Sequence, residues 1–246
     1  VAAGGTLGIL IPPSIPMILY GTITDESVGK LFMSGVVPGA LLTLAFVAYI
    51  VFASWNKPRE ERASHEAKMK SLRENIWGLL LPVIIIGGIY TGIFTPTEAA
   101  AVGTVYALII TFFIYHSITI EDMPAILRAT IKTSCMIFAI MVGAMLFGYI
   151  LTVLQVPQAL MSLVTDGHLN KWIVLIGINI VGLILGCVLE TVSIILITLP
   201  MLYPIIKALG FDPIWFNVVL LINMELALIT PPVGMNLFVI KGISED

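Results

Sequence analysis

Two apolar stretches of this chain, LGILIPPSIPMILYG (residues 7–21) and LALITPPVGMNLFVIKG (residues 226–242), each carry a double proline where a helix would otherwise run unbroken. Proline offers no backbone N–H and clashes with the preceding turn, so two in series end a helix. Composition decides where that happens. The chain is 59% hydrophobic and only 11% charged, with a mean hydropathy of +1.06, against about 25% charged residues in soluble domains. That balance belongs to an integral membrane protein, expected to be all-α. In hydrocarbon each unmet backbone group costs several kcal/mol, so irregular backbone persists only when buried in protein or lining a wet cavity. The end of the first half-helix then attracts a cation, and the start of the second attracts an anion.

Several apolar stretches approach the ~20 residues needed to cross a bilayer. After the broken segment at 1–23, a plain span is expected at 35–53. SWNKPREERASHEAKMKSLRENIW then holds six of the twelve basic residues (Lys57, Arg59, Arg62, Lys68, Lys70 and Arg73). The positive-inside rule makes this loop, 54–75, cytoplasmic. Glu60, Glu61, Glu66 and Glu74 are interleaved, which speaks against a nucleic-acid patch, as does the net charge of −3; 58–72 reads as a surface helix. Spans follow at 76–94 and 99–115, an interfacial helix at 119–132 with acids first and bases last, and a span at 134–154. Residues 155–171 read as a short external connection.

From Trp172 to Gly210 come two apolar arms with the polar ETVS (190–193) between them. Two readings fit: two full crossings, or a re-entrant hairpin with its tip inside the membrane. The second arm, 194–206, holds Pro200 and Pro204 and is short. No turn-forming Gly, Asn or Asp separates the arms, which favours the hairpin. A further span at 213–229 leads into the second double proline, with a short helix expected after it to about residue 240. Counted from the basic loop, the two proline-broken segments cross the membrane in opposite directions. An inverted-topology repeat has that property.

A single Pro-Pro pair in a membrane helix is commonly a packing kink. Two, oppositely directed and flanked by Thr6 and Ser14 in one case and Thr230 and Asn236 in the other, point to sites. A carboxylate at the bilayer centre costs about 2.5–3.5 kcal/mol on insertion scales, so Glu190, Glu98 and Glu225 should face protein or water. Glu190 with Thr191 and Ser193 forms a polar tip suited to lining a site. Glu98, after Pro96 and Thr97, suits a helix cap, and Glu225 suits either pairing or transport. Lys207 and Lys241 lie at segment ends, where lysines snorkel. Cys135 and Cys187 lack CxxC spacing, and His65, His116 and His168 are scattered, so neither redox nor metal chemistry is indicated.

AAGGTLGILIPPSIPMILYG, FMSGVVPG, GIFTPTEAAAVG and NMELALITPPVGMNLFVIKGIS together resemble the large membrane subunit of tripartite ATP-independent periplasmic (TRAP) transporters, over essentially the whole chain. The family usually carries Gly where this chain has Ala227. The resemblance implies a longer protein, with a preceding half that has its own hairpin and with one crossing after Asp246. It implies an inverted-repeat, elevator-type secondary transporter of the bacterial inner membrane, with a re-entrant hairpin and broken helices. Residues 1–23 and 172–246 would belong to the moving transport domain, and 24–171 to scaffold-type helices. The implied cargo is an organic acid such as a C4-dicarboxylate or a sialic acid. Entry would be driven by sodium ions, with no other cofactor. The implied partners are a small membrane subunit and a periplasmic substrate-binding protein.

Carried onto this chain, the sodium positions are Gly8, Ser14, Glu190, Thr191, Ser193, Thr230, Val233 and Gly234, with Thr230, Val233 and Gly234 acting through backbone oxygens. The substrate positions are Thr6, Ser14, Thr191 and Asn236. Two rivals stand beside this reading. An intramembrane enzyme would use Glu98 and Glu190 as an acid–base pair, but no His or Cys accompanies them. A non-transporting scaffold or channel subunit would need a continuous polar stripe, whereas the polar residues here gather at breaks and a tip.

Overall fold

The computed structural model describes residues 2–55, 64–167 and 170–230, and of Ala2, Ala3, Thr6 and residues 163–166 the backbone only. All regular structure among them is helical: α1 (Ala2–Leu10), α2 (Ile15–Thr24), α3 (Val28–Ala53), α4 (His65–Tyr90), α5 (Pro96–Ile109), α6 (Met123–Val153), α7 (Val156–Asp166), α8 (Lys171–Gly186), α9 (Thr191–Ala208) and α10 (Pro213–Ile229). Six stretches are long and apolar enough to cross a membrane. The protein is an all-α, multi-pass membrane protein. Its chain divides into two compact units, residues 1–44 with 135–246, and residues 45–134.

Where the helices depart from the sequence reading, local chemistry accounts for it. Residues 65–75 of the expected loop 54–75, and with them 65–72 of the expected surface helix, are the first turns of α4, while 56–63 lie outside the described residues. α4 begins at His65, because Ser64 caps it by accepting from Ala67 N at 3.1 Å and Glu66 sits in its first turn. The polar stretch is therefore the outer end of a membrane helix. The expected interfacial helix at 119–132 and the span at 134–154 are one helix, α6, entered through a 3-10 turn at Ile120–Asp122. No Gly or Pro separates Lys132 from Ser134, so nothing stops the helix there. The connection at 155–171 contains α7, with Pro157 in its first turn, where a missing N–H costs nothing. Finally, α9 has 18 residues, longer than the expected arm, and keeps Pro200 and Pro204 inside the helix. Membrane helices tolerate such prolines when neighbours meet the freed groups.

In the unit of residues 45–134, α4 packs against α5 through small contacts. Tyr106 Oη donates to Trp77 O at 2.8 Å, and Gly78 N donates to Tyr115 Oη at 3.0 Å. A π-helical turn at Ile110–Ile114 carries the chain on to Tyr115. Thr95 and Glu98 form a capping box at the start of α5: Thr95 Oγ1 accepts from Glu98 N, and Glu98 Oε2 accepts from Thr95 N at 2.8 Å. Glu98 is thus a cap.

The other unit holds the first proline break, the α8–α9 hairpin and α10. Tyr20, Met17, Leu31, Phe32, Ile195, Leu199, Ile206, Phe216 and Leu221 are fully or almost fully buried in its core. Gly35 of α3 lies against the break so closely that a Cβ there would stand 2.5 Å from Leu10 O. Only glycine permits that approach.

Candidate functional site

The first break runs from Ile11 to Ser14. Ile11 N still reaches Leu7 O at 2.8 Å. Pro12 and Pro13 cannot donate to Gly8 O and Ile9 O, the carbonyls four residues before them. Ser14 repairs one loss: it is buried and extended (φ −118°, ψ 121°), stands at the N-cap position of α2 without a side-chain capping bond, and donates its hydroxyl to Ile9 O. Gly8 O is left without its helical donor. Gly8 is exposed, and a Cβ added to it would meet nothing within 4 Å, so the side of α1 that carries it is open.

α10 ends in a related way. Thr230 is extended (φ −92°, ψ 134°); its N–H donates to Ala227 O at 3.1 Å and its hydroxyl to Leu226 O at 2.5 Å. Ala227 O thereby regains a partner that Pro231 cannot give, while Leu228 O loses the donor that Pro232 lacks. At each break a hydroxyl residue beside the prolines repairs one carbonyl, and another carbonyl is released. Pro231, Pro232, Val233, Gly234 and Asn236 lie outside the described residues, as do His168 and Lys241 and the side chain of Thr6.

Three sets of contacts bring the named residues to one level. α2 and α9 pack side by side and run parallel: Tyr203 Oη, late in α9, donates to Thr24 O at the end of α2 (3.1 Å) and bonds Glu26 Oε1 (3.2 Å). Ten residues back from each partner, about 15 Å along a helix, lie Ser14 and Ser193. The N-termini of α2 and α9 therefore stand beside each other. α10 runs opposite to both, since Tyr20 Oη donates to Pro213 O at its start (2.7 Å). That is the direction the crossing count predicts. At its other end α10 meets the hairpin tip: a Cβ on Gly186 would press directly on Ala227 Cβ and stand 3.5 Å from Ile194 Cδ1.

The tip, Cys187–Glu190, connects α8 to α9. Glu190 is the exposed N-cap of α9 and makes no side-chain capping bond. Thr191 is buried and Ser193 half-buried, both in the first turn. The assembly is two helix N-termini, from α2 and α9, level with the C-terminus of α10 and close to the tip. Amides at the former favour a carboxylate, and carbonyls at the latter favour a cation.

Sequence reasoning gave no role to Asn217 or Asn179 and left Glu225 undecided. Asn223 Nδ2 donates to Asn179 O of α8 at 2.8 Å and fixes α10 to the first hairpin arm. Glu225 is 5% exposed, and among the described residues its Oε1 has no hydrogen-bond partner and fully buried Asn217 has none for either amide atom. Asn223 and Ala227 both face α8. At 100° per residue Glu225 lies about 200° from each, so it turns away from that arm. The signal that marks all three is a polar residue inside an apolar helix. Among the described residues no cluster of His, Cys, Asp and Glu could hold a metal ion.

Residues 1–245 match the family model described as the DctM component of tripartite ATP-independent periplasmic transporters. The chain belongs to that family. It is 48% identical over 246 residues to the C4-dicarboxylate TRAP transporter large permease protein DctM of Pseudomonas aeruginosa, covering 99% of this chain and 58% of that protein. The sialic acid TRAP transporter large permease protein SiaM of Vibrio cholerae is 36% identical with the same coverages. The isethionate TRAP transporter permease protein DctMQ of Oleidesulfovibrio alaskensis is 40% identical over 252 residues, covering 99% of this chain and 39% of that protein. The chain thus spans little more than half the length of the two large permeases and about two-fifths of DctMQ. All three are named as permeases.

Proposed function

We propose that this chain is part of the large permease of a sodium-driven importer of an organic anion, working in the inner membrane with a small membrane subunit and a periplasmic binding protein. The cargoes in the relatives' names are a C4-dicarboxylate, a sialic acid and isethionate, all organic anions. The level at which α2 and α9 begin and α10 ends supports this reading most strongly. Amides of the two first turns, with the hydroxyls of Ser14, Thr191 and Ser193, meet the anionic group of the substrate. Sodium is held by backbone oxygens that the prolines release, with Thr230 beside them.

Coupling follows from the coordination sodium needs. Oxygens from the break and from the tip surround an ion only when the tip closes on α10, so ion binding organises the tip. The organised amides then favour the anion, and the body carrying them crosses with its charges compensated. Glu225, buried and with one oxygen unpaired among the described residues, is a polar group held inside the same body. Residues 1–23 and 172–246 form the moving part, and 24–171 belong to its scaffold.

Thr230→Ala and Ser193→Ala in the full-length transporter, assayed by uptake across a sodium gradient, test the reading. The apparent sodium affinity should fall about tenfold for each ~1.4 kcal/mol of lost coordination. Uptake with an unaltered sodium dependence in both variants would contradict it.

A further inference from the structure

The two arms of the hairpin do not close on each other along their length. Between α8 and α9 lies a cleft of about 500 Å³, backed by Leu220 of α10 and reached by Leu160 of α7. Ile173, Gly177, Val181 and Leu185 form one wall, and Thr198 and Met201 contribute to the other. Thr198 is the single polar residue of this lining, and its hydroxyl is already donated to Ile194 O at 2.8 Å. The cleft therefore asks no hydrogen bond of an occupant. From Ile173 to Leu185 it extends about 18 Å along α8, against ~15 Å for one leaflet of the hydrocarbon core. Ile173 and Val181 are largely exposed, so the cleft opens to the side.

Its root has a different chemistry. Lys171 begins α8, two residues before Ile173; Lys207 lies in the last turn of α9, two residues after Ile205, which also lines the cleft. Both ammonium groups are exposed, and among the described residues neither forms an ion pair. Lys171 Nζ sits 5.1 Å from the Phe211 ring, and Lys207 Nζ 5.0 Å from that of Tyr203. Trp172, Phe211 and Trp215 pack together with ring centroids 5.3–6.3 Å apart. Tryptophans and lysines at one end of apolar helices mark headgroup depth.

An apolar slot one leaflet long thus opens beside two unpaired cations at the depth of lipid phosphates. We propose that the cleft between α8 and α9 binds one acyl chain of a phospholipid whose phosphate is held by Lys171 and Lys207. The chain props the arms apart, so the lipid is part of the hairpin that carries the tip.

Gly177 gives a direct test, because a Cβ there would meet nothing within 4 Å and a larger side chain can enter the slot without displacing protein. In the full-length transporter with its partner subunit, purified in mild detergent, Gly177→Phe should retain about one phospholipid fewer per protein than the unaltered chain. Lys171→Gln with Lys207→Gln should abolish any preference for phosphatidylglycerol over phosphatidylcholine in exchange from vesicles. A photoreactive side chain at Ile178 should form an adduct of phospholipid mass, and this result stands even if Gly177→Phe does not fold. Equal lipid content in a folded Gly177→Phe variant would overturn the proposal. So would an Ile178 adduct with another stretch of the transporter or with its partner subunit.

Discussion

The two units use their polar groups differently. In the unit of residues 45–134 these groups serve their own backbone: Glu98 and Asp122 close capping boxes with Thr95 and Thr119, and Tyr106 and Tyr115 reach Trp77 and Gly78 of a neighbouring helix. In the other unit some also serve local backbone, as Thr24 and Asp212 do, but others join elements far apart in sequence, as Tyr20 and Tyr203 do, or are buried with no partner among the described residues, as Asn217 and Glu225 are. Leaving a buried polar group unsatisfied costs about 1–3 kcal/mol. Such a cost is tolerated where a ligand or a moving part needs it, so on the proposed reading the second pattern belongs to the unit that contains the moving segments and the first to a support.

The largest contrast should come from Glu225. Glu225→Leu removes a buried, unpaired oxygen, so the melting temperature of the purified full-length transporter should hold or rise. Sodium-driven uptake per folded protein should fall by an order of magnitude or more, the combination typical of an intramembrane carboxylate kept for function. A variant that loses stability and uptake together would make Glu225 an ordinary core residue.

Next comes Gly186. A methyl group there would press on Ala227, and overpacking of that kind costs about 1–3 kcal/mol. Gly186→Ala should lower both thermal stability and uptake, and Ala227→Gly in the same chain should restore both. Failure of the second change to rescue the first would separate the hairpin tip from the end of α10.

Smaller effects test the links and the support. Tyr203→Phe deletes the bonds to Thr24 and Glu26 and should cost about 0.5–1.5 kcal/mol in a thermal or denaturant melt. Thr95→Ala removes the cap of α5 and should cost about 1 kcal/mol, with uptake per folded molecule unaltered. If Thr95→Ala changed the sodium dependence of uptake, the division of labour between the units would be wrong.

Much of this was legible in the sequence, because prolines and apolar runs act locally. α1, the break, α2 and α10 fall where LIPPS and the run before ITPP put them. Helix starts set by capping chemistry were harder to read: Ser64 begins α4 inside a stretch whose charge alone suggests a loop. α7 was hidden because Pro157 is a breaker inside a helix and harmless in a first turn. Ser14, Thr191, Ser193 and Thr230 could be picked out as hydroxyls beside breaks, yet their common level depends on Tyr20 and Tyr203. No local pattern reveals contacts across such sequence distances. The cleft between α8 and α9 was equally out of reach, since periodicity does not say how far two arms of a hairpin separate.

Thiol accessibility at the tip tests the central claim most directly. In a cysteine-free background of the full-length transporter, Ser193→Cys should react with a water-soluble maleimide about tenfold more slowly in sodium than in potassium, as a tip closed by ion binding requires. Ser117→Cys, an exposed position in the connection before α6 in the supporting unit, should react at one rate in both. A labelling rate for Ser193→Cys that sodium leaves untouched would contradict a site built where α2 and α9 begin and α10 ends.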